Sequence, residues 1–176
     1  VYICLFILSS KYLIINKKGL NIILIAGSLM GVYGIFQFCG FDPIQAWTLG
    51  EIKVNQTLGT IGNRNFYSTY ICLFLFISMG IYILKGGKNY LLCSIPLFSG
   101  LLCSETRGGW LAFICYSFIG FLFIIKNKNA LKREGLIFII FTGVFLIINV
   151  DSDKQITERA NKSLIVSEQG ELHGSA

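Results

Sequence analysis

Long apolar runs are the feature that most constrains what this 176-residue chain can fold into. They cover residues 19–38, 66–84, 87–106, 108–125 and 135–150, and polar connections separate them. A helix needs about 20 mostly apolar residues to cross a bilayer, because the hydrocarbon offers the backbone no hydrogen-bond partner. One such run could be a buried helix of a soluble protein, but five in series predict an all-α, polytopic bundle of transmembrane helices.

The two ends of the chain extend this prediction. Residues 1–10 are apolar and predict the end of a truncated first span, so the transmembrane region is expected to cover residues 1–150. The fifth run is short, but it lengthens if Lys132 and Arg133 snorkel to the membrane surface. Residues 151–176 are polar and predict the start of a large outward-facing loop. We therefore expect this chain to be a fragment of a longer protein.

The charges divide between alternate connections. Hydrophobic residues make up 54% of the chain and charged residues 14%, which disfavours a soluble enzyme, a disordered tail or a nucleic-acid-binding module. The first, third and fifth connections carry nine bases and one acid, a net charge of +8, whereas the others carry a net −2. Positive loops stay cytoplasmic. The split predicts that residues 39–65, 105–109 and 151–176 face outward from a cell membrane.

Small residues within the spans predict close helix packing. Gly27 and Gly31 form a GxxxG pair, followed by Gly34, and we interpret them as intramolecular contacts rather than a dimerisation site. Pro96 lies in the middle of a span, where it removes one backbone hydrogen bond and is expected to kink the helix. The six cysteines form no CxxC pair and are interpreted as small apolar packing residues.

The first candidate site is the outward stretch 57–66, just before a span. Gly62, Asn63, Arg64 and Asn65 combine a permissive backbone, two amides and one fixed positive charge at a helix N-terminus. That combination suits a phosphate-like anion. The alternative is a turn followed by an asparagine cap, with Arg64 at the lipid headgroups, and the residue types favour neither.

The second candidate site is the tight hairpin 104–110, which places Arg107 near the membrane surface between two spans. An ionisable group at that depth suggests function, and guanidinium grips phosphate with two parallel hydrogen bonds. The alternatives are a snorkelling arginine beside the interfacial Trp110 or an ion pair with Glu105. The chain has no nucleotide-binding loop and no metal-ligand cluster, so no metal or cofactor is expected.

These stretches resemble motifs of the O-antigen ligase and O-antigen polymerase superfamily of bacterial polytopic membrane glycosyltransferases. Residues 31–43 are similar to the family's helix exit, which ends in Gln, an aromatic residue, Gly and Asp-Pro. Residues 59–66 are similar to its G-T-x-G-N-x-N element, and residues 106–110 to its S-R-G-x-x element. Position 64 is arginine where many members have proline, and position 106 is threonine rather than serine. Together the motifs cover about residues 19–125.

The resemblance implies a metal-independent transfer of a glycan from an undecaprenyl-diphosphate-linked donor to an acceptor glycan or lipid. It implies that Arg107 is the functional arginine and that Asn63 and Asn65 are the family's asparagines. Further active-site residues of the family follow in its large outer loop, so this fragment alone is expected to be inactive. The alternative is a segment of a polytopic transporter or a lipid-linked glycan flippase, whose Gly-, Pro- and Asn-rich elements would form a translocation path.

Overall fold

The computed structural model describes residues 16–42, 44 and 57–151, and within these ranges it contains five helices and no strand. The helices are α1 (Lys17–Phe38), α2 (Arg64–Lys85), α3 (Lys88–Cys103), α4 (Arg107–Ile124) and α5 (Lys128–Asp151). The predicted all-α bundle is confirmed. The predicted truncated span at residues 1–10 and all but the first residue of the predicted loop 151–176 lie outside the described residues.

Four of the helices, α1, α2, α4 and α5, are long and apolar enough to cross a membrane. Half of the apolar window of α2 is buried within the bundle, against 17% for α4 and for α5. Large apolar side chains therefore point outward, including Leu29, Phe118, Phe123, Ile139 and Ile147. Because water would penalise so much exposed apolar surface, the fold fits a multi-pass membrane protein in contact with a lipid bilayer.

The predicted helix boundaries need correction at α3 and α5. The run 87–106 forms a helix of only 16 residues, about 24 Å long, because the chain turns at Ser104 and Glu105. Ser104 Oγ donates to the carbonyl of Leu101 at 2.6 Å, and Glu105 has a φ of 50°. Helix α5 begins well before residue 135, because Asn127 Oδ1 accepts from the N–H of Ala130 at 3.2 Å.

The other boundaries move by one or two residues. Helices α1, α2 and α4 each begin slightly before the predicted runs 19–38, 66–84 and 108–125. At α1 the reason is a cap, since Asn16 Oδ1 accepts from the N–H of Gly19 at 2.7 Å. The predicted outward loop 105–109 is shorter than expected, because α4 already begins at Arg107.

Short connections make α2 to α5 successively antiparallel, and α1 is antiparallel to α2 because Gly27 faces Phe74 and Gly34 faces Tyr67. Helices α1, α3 and α5 therefore run one way and α2 and α4 the other. Contacts agree: Ser28 Oγ of α1 donates to Cys93 O of α3 at 3.2 Å, and Phe98 of α3 stacks on Phe141 of α5 at 4.0 Å. The bundle therefore has two ends. We name the end where α2 and α4 begin the loop end, and the opposite end the basic end.

The charges of the described helices separate between these ends. The bases at the basic end are Lys17, Lys18, Lys85, Lys88, Lys126, Lys128, Lys132 and Arg133. At the loop end the described bases are Arg64 and Arg107, and the described acids are Asp42, Glu105 and Asp151. The charge alternation along the chain therefore appears in the folded bundle as one strongly basic end and one end with few bases.

Three of the four glycines of α1, namely Gly27, Gly31 and Gly34, pack against other helices of the chain. A Cβ at Gly31 would lie 2.4 Å from the carbonyl oxygen of Pro96 in α3, so the two helix backbones approach closely there. Gly27 and Gly34 face Phe74 and Tyr67 of α2 in the same way. The interpretation of the GxxxG pair as intramolecular packing is confirmed, because these contacts occupy the small-residue face of α1.

Candidate functional site

The site begins with a polar network at the exit of α1. Tyr33 and Gln37 lie one turn apart on this helix, and both are buried. Tyr33 donates its hydroxyl proton to Asp42 Oδ1 at 2.6 Å. Gln37 Nε2 donates to Asp42 Oδ2 at 3.1 Å and to the Tyr33 hydroxyl at 3.0 Å. The three side chains fix the chain as it leaves the helix.

Gln37 also joins this exit to the first candidate stretch. Its Oε1 accepts from the N–H of Gly59 at 2.7 Å and of Leu58 at 3.1 Å. Gly59 has a φ of 59° and packs so closely that a Cβ would lie 2.3 Å from Cδ2 of Tyr67. The buried amide of Gln37 thus joins two stretches that are distant in the sequence, and Thr57 Oγ1 adds a hydrogen bond to Gly34 O at 3.3 Å.

The turn before α2 uses Asn63 as a helix cap. Gly62 has a φ of 76°, a conformation that favours glycine, and its N–H donates to Leu58 O at 3.1 Å. Asn63 Oδ1 accepts from the N–H of Asn65 at 2.8 Å and of Phe66 at 3.4 Å. For Asn63, the structure therefore has the cap that was one of the two alternatives.

The next two residues present their side chains at the start of α2. Arg64 is half-buried and Asn65 is exposed. The Asn65 carbonyl accepts from Ser68 Oγ and from Thr69 Oγ1, both at 2.9 Å. Neither the guanidinium of Arg64 nor the amide of Asn65 forms a side-chain hydrogen bond with the residues that the structure describes. Both remain available to a ligand.

The hairpin between α3 and α4 leaves the N-terminus of α4 without a side-chain cap. Ser104, Glu105 and Thr106 are buried. The Thr106 hydroxyl lies 3.0 Å from Ser104 Oγ and caps no N–H of α4. Arg107 is exposed and forms no hydrogen bond or ion pair with another described residue. Helix α4 thus begins with the exposed Arg107, and its first N–H groups have no side-chain cap.

Helices α2 and α4 bring the two candidate sites to the same end of the bundle. A Cβ at Gly109 would lie 3.2 Å from Cβ of Ser68, and Cys72 Sγ lies 3.6 Å from Gly109 O. Along the helix axes, Arg64 is about 6 Å from Ser68 and Arg107 about 3 Å from Gly109. The N-termini of the parallel helices α2 and α4 therefore lie at the same end of the bundle, and each begins with an arginine, Arg64 or Arg107.

The roles of two side chains in this region cannot be predicted from residue types alone. Gln37 belongs to the helix-exit motif 31–43, but its role as the link between two stretches depends on a contact across the fold. Its signal is a polar residue on an apolar helix, four residues after Tyr33. The other group is Trp110 Nε1, a buried donor without a hydrogen-bond partner among the described residues. It lies in the first turn of α4.

The fold and this site define the chain as a multi-pass helical membrane protein with an arginine-containing polar end. Comparison with protein-family models, curated proteins and solved structures finds no match to the chain. The family resemblance of the three motifs therefore stays a prediction.

Proposed function

We propose that this chain is part of a membrane glycosyltransferase of the O-antigen ligase or polymerase kind. The enzyme would transfer a glycan from an undecaprenyl-diphosphate-linked donor to an acceptor glycan or lipid during assembly of cell-surface polysaccharide. One observation carries the proposal: the uncapped N-terminus of α4 begins with the exposed Arg107 and lies beside the N-terminus of α2.

Such an arrangement suits a diphosphate. Each helix N-terminus carries about half a positive elementary charge, and its first N–H groups have no acceptor within the helix. Arg107 adds a full charge and a planar fork that matches two phosphate oxygens. Gly108 has no atom within 4 Å of a would-be Cβ, so the backbone there is open to a close approach.

The reaction needs positive charge next to the diphosphate, which is the leaving group. The acceptor hydroxyl oxygen forms a bond to the anomeric carbon and loses its proton to solvent, and the bond between that carbon and the diphosphate oxygen breaks. The electron pair of the broken bond stays on the diphosphate, which becomes more negative. Groups already in place for that charge lower the barrier, because they need no reorganisation in the transition state. The proposal gives this role to Arg107 and a substrate-binding role to the 62–65 turn.

The polarity of the bundle supports an outward loop end. Eight bases mark the basic end, and the positive-inside rule then places this end in the cytoplasm of the cell. Cys39 is exposed at the loop end, and Asn129 is exposed at the basic end. Single-cysteine proteins that keep Cys39 or carry Asn129→Cys form a matched pair. An impermeant maleimide added to intact cells should label only the first, and the reverse result would contradict the orientation.

The activity test compares three variants of the full-length protein at equal expression. Arg107→Ala should abolish transfer of the lipid-linked glycan. Arg107→Lys should also lose most of the activity, because an ammonium keeps the charge but not the fork. Arg64→Ala is the control, and a smaller loss is expected because many members of the resembled family have proline there. Normal transfer by both Arg107 variants would contradict the assignment.

The same assay separates this proposal from the transporter alternative. A flippase would carry the lipid-linked glycan across the membrane of vesicles without forming a new glycosidic bond. The proposed enzyme forms that bond and needs the acceptor. The 176-residue chain alone is expected to insert into membranes and to lack transferase activity, because the resemblance places further active-site residues in the outer loop.

A further inference from the structure

A second polar site lies near the opposite end of the bundle, inside the spans. Helices α2, α4 and α5 line a cavity of about 140 Å³ that is partly open, since Leu84 and Phe123 of its lining are exposed. Glu134 of α5 and Ser117 of α4 both line it, with relative exposures of only 2% and 7%. The remaining lining residues are Met79, Gly80, Ile83, Leu84, Tyr116, Gly120, Phe123 and Ile124. Apart from these few polar groups, the wall is apolar.

The two buried polar groups have no partner in the described part of the chain. Glu134 Oε2 and Ser117 Oγ are both buried without a hydrogen bond. Tyr116 is the other titratable group on the wall, and it donates its proton to Phe76 O at 2.8 Å. Such groups are costly to bury unless a ligand or each other satisfies them.

No described base neutralises Glu134. Arg133 is its neighbour in the chain, but its Nη1 donates to the carbonyls of Ile83 and Leu84 at 3.1 and 3.2 Å. The lining residues from α2 carry no titratable side chain. The C-terminal halves of α2 and α4 form two walls of the cavity, and helix C-termini carry partial negative charge. The surroundings therefore oppose a carboxylate anion and favour a positive ligand.

We infer that this cavity is a proton-binding site inside the membrane. The proton binds to the Glu134 carboxylate as an O–H group. That O–H donates to a water molecule that also bonds Ser117 Oγ, because the two side-chain oxygens form no direct hydrogen bond and a cavity of this volume has room for a few water molecules. The site is separate from the loop end, and it does not depend on the proposed glycosyltransferase function.

The test is infrared spectroscopy of the 176-residue chain in lipid vesicles near neutral pH. The wild-type protein should show a carboxylic acid C=O band that Glu134→Gln removes, since glutamine keeps the shape but holds no acidic proton. The band should shift when H₂O is replaced by D₂O, because the bound proton exchanges with solvent. If Glu134→Gln removes no such band, the carboxyl group is ionised and the proposal is wrong. A band that never shifts in D₂O would show that the proton does not exchange with solvent, and the site would then not bind and release protons.

A pair of hydroxyl variants tests the partner. Ser117→Ala should shift the frequency of the Glu134 band, because it removes one partner of the water molecule to which the acid donates. Thr142→Ala is the matched control: its hydroxyl is exposed on α5 and donates to Phe138 O at 2.8 Å, away from the cavity. The control should leave the band unchanged. An unshifted band in Ser117→Ala would overturn the role of Ser117.

Discussion

The side-chain oxygen of Gln37 lies 2.7 Å from the backbone nitrogen of Gly59, although 22 residues separate them in the chain. The contact ties the end of a span to the loop that leads into the next one. Gln37 can do this because its amide has an oxygen that accepts from the loop and a nitrogen that donates to Asp42 and Tyr33. One buried side chain therefore joins three segments of the loop end, beside the hydrogen bond of Thr57 Oγ1 to Gly34 O.

Replacing Gln37 with alanine should destabilise the protein. The change leaves the buried N–H of Gly59 without its acceptor, and each buried polar group left unsatisfied costs about 1–3 kcal/mol. The midpoint of thermal unfolding in detergent should fall clearly. Asn89→Ala removes an exposed amide and should change the stability by less than about 0.5 kcal/mol. Equal midpoints for the two variants would show that the network contributes little.

Much of the fold could be predicted from the sequence because hydrophobic runs and span length are local properties. The helix boundaries were harder to predict, because they depend on single side chains. Asn16 and Asn127 cap helices that begin before the apolar runs do. The end of α3 depends on a turn at Ser104 and Glu105 that hydropathy does not register, because the surrounding residues are apolar enough to extend a span.

The candidate site, like the fold, could be predicted only in part from the sequence. Charge alternation along the chain predicted which connections share an end, and the bundle brings Arg64 and Arg107 to that end. Residue types could not decide the role of Asn63, because a cap and an anion ligand use the same amide. The Gln37–Gly59 contact and the burial of Glu134 depend on how distant segments pack, so neither follows from local sequence.

The adjacent glycines of α4 should respond differently to alanine. A Cβ at Gly109 would lie 2.8 Å from both Leu101 Cδ1 and Thr106 Oγ1, whereas a Cβ at Gly108 would meet nothing within 4 Å. Gly109→Ala should push α4 away from Leu101 of α3 and lower stability by about 1–3 kcal/mol. Gly108→Ala should be neutral or slightly stabilising. Unfolding midpoints of the purified variants check this, and similar losses in both would contradict the packing.

A second glycine pair tests the close approach of α1 and α3. Gly31→Ala places a methyl group against the backbone of Pro96, which cannot move aside as a flexible side chain could. We expect a loss of about 1–3 kcal/mol from overpacking. Gly143 of α5 has nothing within 4 Å, so Gly143→Ala is the control and should not destabilise the bundle. An oligomeric state changed by Gly31→Ala, with the monomer's stability intact, would favour a dimerisation role instead.

Arg133 and Lys132 carry the same charge at the same end but have different structural roles. Arg133 donates from Nη1 to Ile83 O and Leu84 O, two carbonyls in the last turn of α2. Such carbonyls have no N–H donor within their own helix. Arg133→Ala should therefore loosen the contact between α2 and α5 and lower stability by about 1–3 kcal/mol. Lys132 is exposed, and Lys132→Ala should have little effect on stability. Both variants remove one positive charge from the basic end, so a topology assay should respond to them equally. Equal unfolding midpoints would mean that Arg133, like Lys132, serves only as a topogenic charge.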